Sequence, residues 1–519
     1  MDNDLDLGAL LTTMKVRAGS VERLAELMGG VTSRTIRDWL KKDATGLANI
    51  QPDKRRRILE TARSLGIPVE VRAEQRLWDP ARSYEENLGA RIGLPAGTRL
   101  PLRSLDRPVL GHHVASPFGP SASVITADSE RVRFLAQSGN SVLTYKTVRS
   151  RETRAHLHPN LFYCSGEVDA PDPEAAPPTY LVDMERNRTL AVVNRFGMPS
   201  QAPEIWKTDF RRAAAYLDES SQILILSVTG TARRGDPDEV LIEDFARVVG
   251  QARDAAASFI ELNLSCPNCS GPEGRVFEKI ELTRRICEAA FGAAGGVPLI
   301  AKIGYLPLAD LNRLVSVIAP FASGIAAMNT VPVRALRQGL DGPEAAFGDT
   351  DLLVGLSGQP LLALGLQTIE RLARIRERDG LGDLALLGMG GVTSPLDVQR
   401  YLDAGADVVQ AASVFLIDPL FGEKVHQFLE DLEAVSEDPD RRLVRDARNN
   451  WTQAFDCLET ENPTRGQAVA QAAVAVWMEW KNRTSSDGPW SGPKRMHAPD
   501  VLDFSRRIAH KAGVPFRHR

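Results

Sequence analysis

Five cysteines in 519 residues (Cys164, Cys266, Cys269, Cys287 and Cys457) are too sparse for a disulfide framework and fit a reducing compartment. No apolar run approaches the ~20 residues that span a bilayer. The first ten residues, MDNDLDLGAL, lack the basic, apolar and small-residue zones of a signal peptide. Together these absences predict a soluble, cytoplasmic protein with no membrane partner. An excess of one charge is missing too: the net charge of −4 rules out neither a small-molecule substrate nor a locally basic face for a partner. What remains is ordinary globular composition, 43% hydrophobic and 25% charged. The length leaves room for a barrel of ~250 residues with additions at both ends.

The most informative stretch is FIELNLSCPNCSG, residues 259–271. Its first half is an aliphatic run that reads as a buried strand; its second half turns abruptly to amides, hydroxyls and thiols. A buried strand ending in such groups presents chemistry at its C-terminal end, which in a (β/α)8 barrel is where catalysis lies.

Residues 1–68 read as a small helical domain. Val21, Leu24, Ala25, Leu27 and Met28 follow helical spacing, Gly29-Gly30 breaks it, and Thr32 or Ser33 can cap a second helix over 34–42. LAELMGGVTSRTIRDWLKK thus resembles a helix-turn-helix, with Arg34, Arg37, Lys41 and Lys42 outward and Lys54-Arg55-Arg56-Arg57 following. DNA contact through Arg34 and Arg37 stands beside the plainer reading of a packing or oligomerisation domain with solvated arginines. Residues 69–104, rich in Arg, Glu, Gly and Pro, read as a linker.

From residue 105 to 430 strands alternate with helices. Strand candidates are 110–116, 141–147, 223–228, 259–265, 298–304, 324–330, 385–391 and 407–413, with helical patterns between them, for example at 241–257, 278–290 and 361–376. Eight repeats predict an α/β fold, a closed TIM barrel. An open doubly wound sheet would want G-x-G-x-x-G after the first strand, and SPFGPS is not that.

Several strand ends are polar: Lys146, then Asn263, Cys266 and Asn268, then Lys302, then Asn329-Thr330, with Asn194 closing the apolar segment 190–193. Asparagines can read an amide-rich ring by paired donors and acceptors. Lysines in a largely apolar mouth supply positive charge to an electron-accepting ring or an anionic substrate. Singly, each lysine is more often a solvated strand end; converging, they favour a site. Gly355–Gly358, Gly390-Gly391 and Ala412-Ser413 add glycine-rich or small-residue turns next to helix starts, a pattern that binds phosphate.

ELNLSCPN, AKIGY, Asn329-Thr330, GLSG, VVNRFGMPS and LLGMGGVTSPLDVQRYLDAGADVVQAASVF closely resemble the dihydroorotate dehydrogenase family, in the family's order, over about residues 109–430. Cysteine where another branch has serine makes the chain look like the soluble class 1 enzymes. The resemblance implies FMN as cofactor and Cys266 as the base that deprotonates the dihydropyrimidine while hydride leaves the adjacent carbon. It implies Asn194, Asn263, Asn268 and Asn329, with Thr330, around the substrate, and Lys146 close to both substrate and flavin. Lys302 would face the flavin's pyrimidine edge, Gly358, Gly390, Gly391 and Ser413 would hold its phosphate, and Ser116 joins the flavin set. It implies a homodimer as an option and leaves the electron acceptor open.

Three features depart from the pattern. Ala412 replaces the glycine expected before Ser413. Residues 165–190, rich in Pro, Asp and Glu, read as an insertion that reshapes the mouth or meets a partner. Cys269 makes a C-x-x-C, yet no second pair with zinc spacing exists, so it reads as a substituted loop residue with a disulfide to Cys266 as the alternative and no metal expected. Residues 431–519 read as a helical extension carrying Trp451, Trp477, Trp480 and Trp490, docked on the barrel or on a partner.

Two other functions fit parts of the pattern. One is a dihydrouridine synthase-like flavoenzyme, which would give the basic ends an RNA to hold. The other is a DNA-binding regulator whose barrel senses pyrimidine or flavin redox state.

Overall fold

The computed structural model describes residues 20–28, 31–40, 76–90, 104–165, 168–169, 171–184, 190–265, 274–339, 342–349 and 352–436, with single positions 11, 15, 18, 58, 61 and 92. The chain divides into two compact units, Met1–Arg76 and Leu77–Arg519. The expected helical extension 431–519 lies outside the described residues beyond 436, as do Lys41, Lys42 and the basic run 54–57.

In the first unit, helices α1 (Val21–Met28) and α2 (Ser33–Trp39) turn their apolar residues toward one another. Val21, Leu24 and Met28 meet Ile36 and Trp39, and Leu11, Val31 and Ile58 complete a small core. α2 begins where the Thr32 hydroxyl accepts the Thr35 amide at 3.2 Å, the N-cap bond that satisfies an otherwise orphaned donor.

The second unit opens with α3 (Tyr84–Gly89), held by a Ser83–Glu86 capping box. Leu77, Trp78 and Tyr84 belong to the main hydrophobic core, so this part of the expected linker is packed. A short hairpin follows, β1 (Arg107–Val109) and β2 (His112–Val114), then β3 (Phe118–Pro120), α4 (Ser129–Ala136) and β4 (Val142–Val148). Three strands next leave the alternation: β5 (Leu161–Cys164), β6 (Thr179–Asp183) and β7 (Ala191–Asn194). The alternation resumes with α5 (Pro203–Ala214), β8 (Ile223–Val228), α6 (Asp238–Asp254), β9 (Phe259–Asn263) and α7 (Ile280–Ala294). After β10 (Leu299–Lys302), α8 (Leu308–Ile318) and β11 (Gly324–Ala327), a second excursion forms β12 (Val331–Gly339), β13 (Gly342–Ala345) and β14 (Val354–Gly358). The chain then completes α9 (Leu362–Arg378), β15 (Ala385–Met389), α10 (Pro395–Asp403), β16 (Val408–Ala411) and α11 (Phe421–Ser436).

The sheet β3-β16-β15-β11-β10-β9-β8-β4 is parallel throughout. Its ends meet where the Ser141 amide donates to the Phe118 carbonyl at 3.0 Å. Gly119 permits that closure, because a Cβ there would stand 2.1 Å from the Val142 carbonyl oxygen. The result is the expected TIM barrel, and its fully buried strands explain the continuous apolar runs in the sequence.

The first barrel strand differs from expectation. Residues 112–114 form β2 of the hairpin, and β3 takes the barrel position. Val109 and Val114 of the hairpin pack with Val142, Ile223, Phe259 and Val408, which begin their strands, so the hairpin plugs the N-terminal end of the barrel. Each fully buried aliphatic or aromatic side chain there contributes about 1.5–3 kcal/mol.

The two excursions build a second sheet, β13-β12-β14-β7-β5-β6, which returns on itself because β6 also pairs with β12. The acidic, Pro-rich insertion around 165–190 supplies β6 to this sheet. No helix among the described residues is long and apolar enough to cross a membrane.

Candidate active site

The C-terminal ends of the barrel strands and the second sheet enclose a cavity of about 1200 Å³, part of it open to solvent. Lys146, Asn194, Asn263, Lys302, Asn329, Thr330, Gly358, Gly390, Gly391 and Ser413 all line it. Residues scattered over 268 positions of sequence therefore converge because parallel strands deliver their ends to one face.

Lys146 projects from an irregular stretch of β4, whose register with β8 shifts between Tyr145 and Val148. Such irregularities re-aim side chains. Its ammonium donates to the Pro199 carbonyl at 3.3 Å and stands 4.9 Å from the centre of the Tyr84 ring. Trp78 and Phe196 complete an aromatic cluster around Tyr84. The loop after Asn194 is anchored by the fully buried Arg149, which donates to the Met198 carbonyl at 3.0 Å. Met198 itself carries φ +50°, a strained backbone held by its surroundings.

The asparagines are preset by their neighbours. Asn263 donates to the Thr147 hydroxyl at 3.0 Å, and Asn329 donates at 3.0 Å to both the carbonyl and the hydroxyl oxygen of Ser265. The Thr330 amide donates to Asn329 Oδ1 at 2.8 Å, and Asn194 donates to the Gly355 carbonyl at 3.3 Å. Locked amides recognise a flat polar ring without first losing rotamer freedom.

In the same cavity, Gly390 and Gly391 adopt φ +117° and +76°, and the Tyr401 hydroxyl donates to the Gly390 carbonyl at 2.6 Å. The Ser413 and Ser357 hydroxyls lie 3.1 Å apart. A Cβ at Gly391 would come within 2.3 Å of the Leu362 amide nitrogen, at the start of α9. This is a close-packed glycine cradle at helix starts, suited to an anion.

Cys266, Asn268 and Cys269 lie outside the described residues, as does the rest of 266–273. Ser116 is not part of the mouth: it lies before β3, at the opposite strand end from the cavity, and is fully buried. Ser121 and Ser123, which follow β3, line the cavity instead. Thr147 and Gln410, which carried no expectation from the sequence, line the cavity too. Gln410 was detectable as the lone amide in an apolar strand. Arg34 and Arg37 stand exposed on α2 in the first unit, where Arg37 pairs with Glu22.

The residues present fit a flavin. Lys302, 3% exposed, brings an ammonium to the cavity wall. Gln410 Oε1 is buried on that wall without a hydrogen-bond partner, an acceptor matched to a ring N–H. The glycine cradle suits the phosphate. A barrel mouth of this chemistry is that of a flavin-dependent oxidoreductase.

Comparison with known proteins narrows the class. The family model described as dihydroorotate dehydrogenase matches residues 174–432. A dihydroorotate dehydrogenase of Dictyostelium discoideum is 31% identical over 371 residues, 67% of this chain and 96% of that protein. A dihydroorotate dehydrogenase (quinone) of Clavibacter michiganensis is 29% identical over 62% of this chain and 84% of its own length. The Eimeria tenella DHODH crystallised with ferulenol shares the fold, with a TM-score of 0.50 and 16% identity over 67% of this chain and 89% of that one. The chain belongs to the dihydroorotate dehydrogenase family.

Proposed function

We propose that the barrel mouth oxidises dihydroorotate to orotate with FMN as its flavin and Cys266 as its base. An oxidoreductase acting on a CH–CH bond follows from family membership; the cofactor and the roles of single residues are inferred from the chemistry of the mouth. The observation that carries it is the preset set Asn194, Asn263 and Asn329, which lines one cavity together with Lys146 and a glycine cradle.

Gly358, Gly390, Gly391 and Ser413 would hold the FMN phosphate, and Lys302 the electron-rich edge of the ring. When bound, FMN supplies the acceptor for the hydride. Asn194, Asn263, Asn268 and Asn329 orient the dihydropyrimidine, with Thr330 at the same wall. Lys146 offers its ammonium to substrate and cofactor together. Cys266 follows Ser265 in the chain and takes the proton from the carbon next to the one that loses hydride. A thiol does this as the thiolate. By contrast, burial pushes the Cys164 and Cys287 thiols up to about 12, which keeps them inert.

The test is an anaerobic titration of the purified protein with dihydroorotate, followed in the visible spectrum. A yellow protein bleached by dihydroorotate is expected, with bleaching slowed about 10²–10⁴-fold in Cys266→Ala, the usual span for a general base. Flavin that stays oxidised in the parent protein overturns the substrate, and a colourless protein overturns the cofactor.

A further inference from the structure

Below the mouth lies a charged group that the proposed chemistry leaves unused. Glu261 stands two residues before Asn263 on β9, hence on the same face and one layer deeper in the barrel. It is fully buried. Its Oε1 accepts from the Ser227 hydroxyl at 2.7 Å and lies 3.6 Å from the Lys302 ammonium, while its Oε2 has no hydrogen-bond partner. The Ser227 and Thr147 hydroxyls are 2.9 Å apart, and Thr147 accepts from Asn263. One hydrogen-bonded chain thus ties the carboxylate to an asparagine of the mouth. Glu261 does not line the cavity; Lys302 does.

A lone buried carboxylate is strongly disfavoured, and a barrel interior ordinarily fills this layer with branched apolar residues. The position of the ion pair makes it more than packing. An ammonium against the cavity wall favours any ring that gains negative charge, and a carboxylate 3.6 Å behind it opposes that field. We propose that Glu261 is a positioning residue: it fixes the Lys302 ammonium in place and balances its charge, and so sets the reduction potential of the bound flavin. This rests on the FMN reading above.

The test measures the two-electron potential of the purified holoenzyme by dye-linked anaerobic reduction, for the parent and for Glu261→Gln, Glu261→Leu and Glu261→Asp. Gln keeps the shape and removes the negative charge, so the potential is expected to rise. A tenfold gain in the equilibrium constant for reduction corresponds to about 30 mV for two electrons. Leu removes the charge without a buried amide, provides the same reading if the Gln variant does not accumulate, and is expected to shift the same way. Asp keeps the charge and is expected to stay near the parent.

A merely structural Glu261 would lower Tm in these variants without moving the potential. FMN-loaded Gln or Leu variants whose potential is unchanged or lower than the parent's overturn the inference alone. A parent protein that holds no FMN overturns the functional reading and this inference with it.

Discussion

Gly358 shows how much a single position contributes to the site. It ends β14 with φ +99° opposite Ala191, and a Cβ would stand 2.0 Å from the Leu190 carbonyl oxygen. Gly358→Ala must strain its backbone and push β7 away from β14, moving Asn194 and the cradle together. Strained backbone of this kind costs about 1–3 kcal/mol before the clash is added. The expected outcome is a lower urea midpoint and FMN affinity weaker by about tenfold or more, given that 1.4 kcal/mol is a factor of ten. Equilibrium unfolding and flavin fluorescence titration check both. Lys302 and Asn263 were legible because each interrupts an apolar run with a residue that packing alone would not choose, and Gly358 because GLSG reads as a turn before a helix start. Ser116 misled because the strand read at 110–116 supplies β2 of the hairpin, which packs at the wrong end of the barrel. Gln410 is a lone amide in the apolar run VVQAAS, and its meaning is clear once its unpaired oxygen is seen on the cavity wall.

Among elements, legibility followed length and burial. β4, β8, β9 and β10 are buried at every position and mostly apolar, and could be read directly. β3 is only Phe-Gly-Pro, and its fitness for the barrel lies in the missing Cβ of Gly119, not in any hydrophobic pattern. The second sheet was hidden for a different reason. β6 and β13 are short and largely exposed, and their pairing partners lie more than a hundred residues away or across a turn. β12 begins with alternating buried and half-buried residues, but nothing local says which face meets the mouth. Helix α11 carries a consequence for pH. Burial, reinforced by Asp418 and opposed by Lys424, raises the Glu423 carboxyl to about 7. A carboxyl raised above its unfolded value of 4.5 stabilises the fold in its protonated form, so this contribution is full below about 4.5 and is lost as pH rises through 7. Glu423→Gln is therefore expected to raise stability at pH 8 and to leave it nearly unchanged at pH 4. Thermal melts of parent and variant across that range check the sign; a variant less stable at pH 8 contradicts it.

At the scale of the whole molecule, the chain combines two units with separate cores. Leu11, Val21, Leu24, Met28, Val31, Ile36, Trp39 and Ile58 close the first, and none of them belongs to the cluster that fills the barrel unit. A unit of 76 residues buries a smaller share of its surface than one of the barrel's size, and is the less stable of the two. Independent cores unfold independently unless an interface couples them. Calorimetry of the full chain is accordingly expected to show a weak early transition and a large late one. Every residue assigned to flavin and substrate above lies beyond Arg76, so a chain lacking Met1–Arg76 should lose the early transition alone. It should keep its flavin, its bleaching by dihydroorotate and its kcat. If flavin or turnover disappears with the first unit while the late transition persists, the catalytic site is not complete within Leu77–Arg519, and the first unit serves the reaction itself.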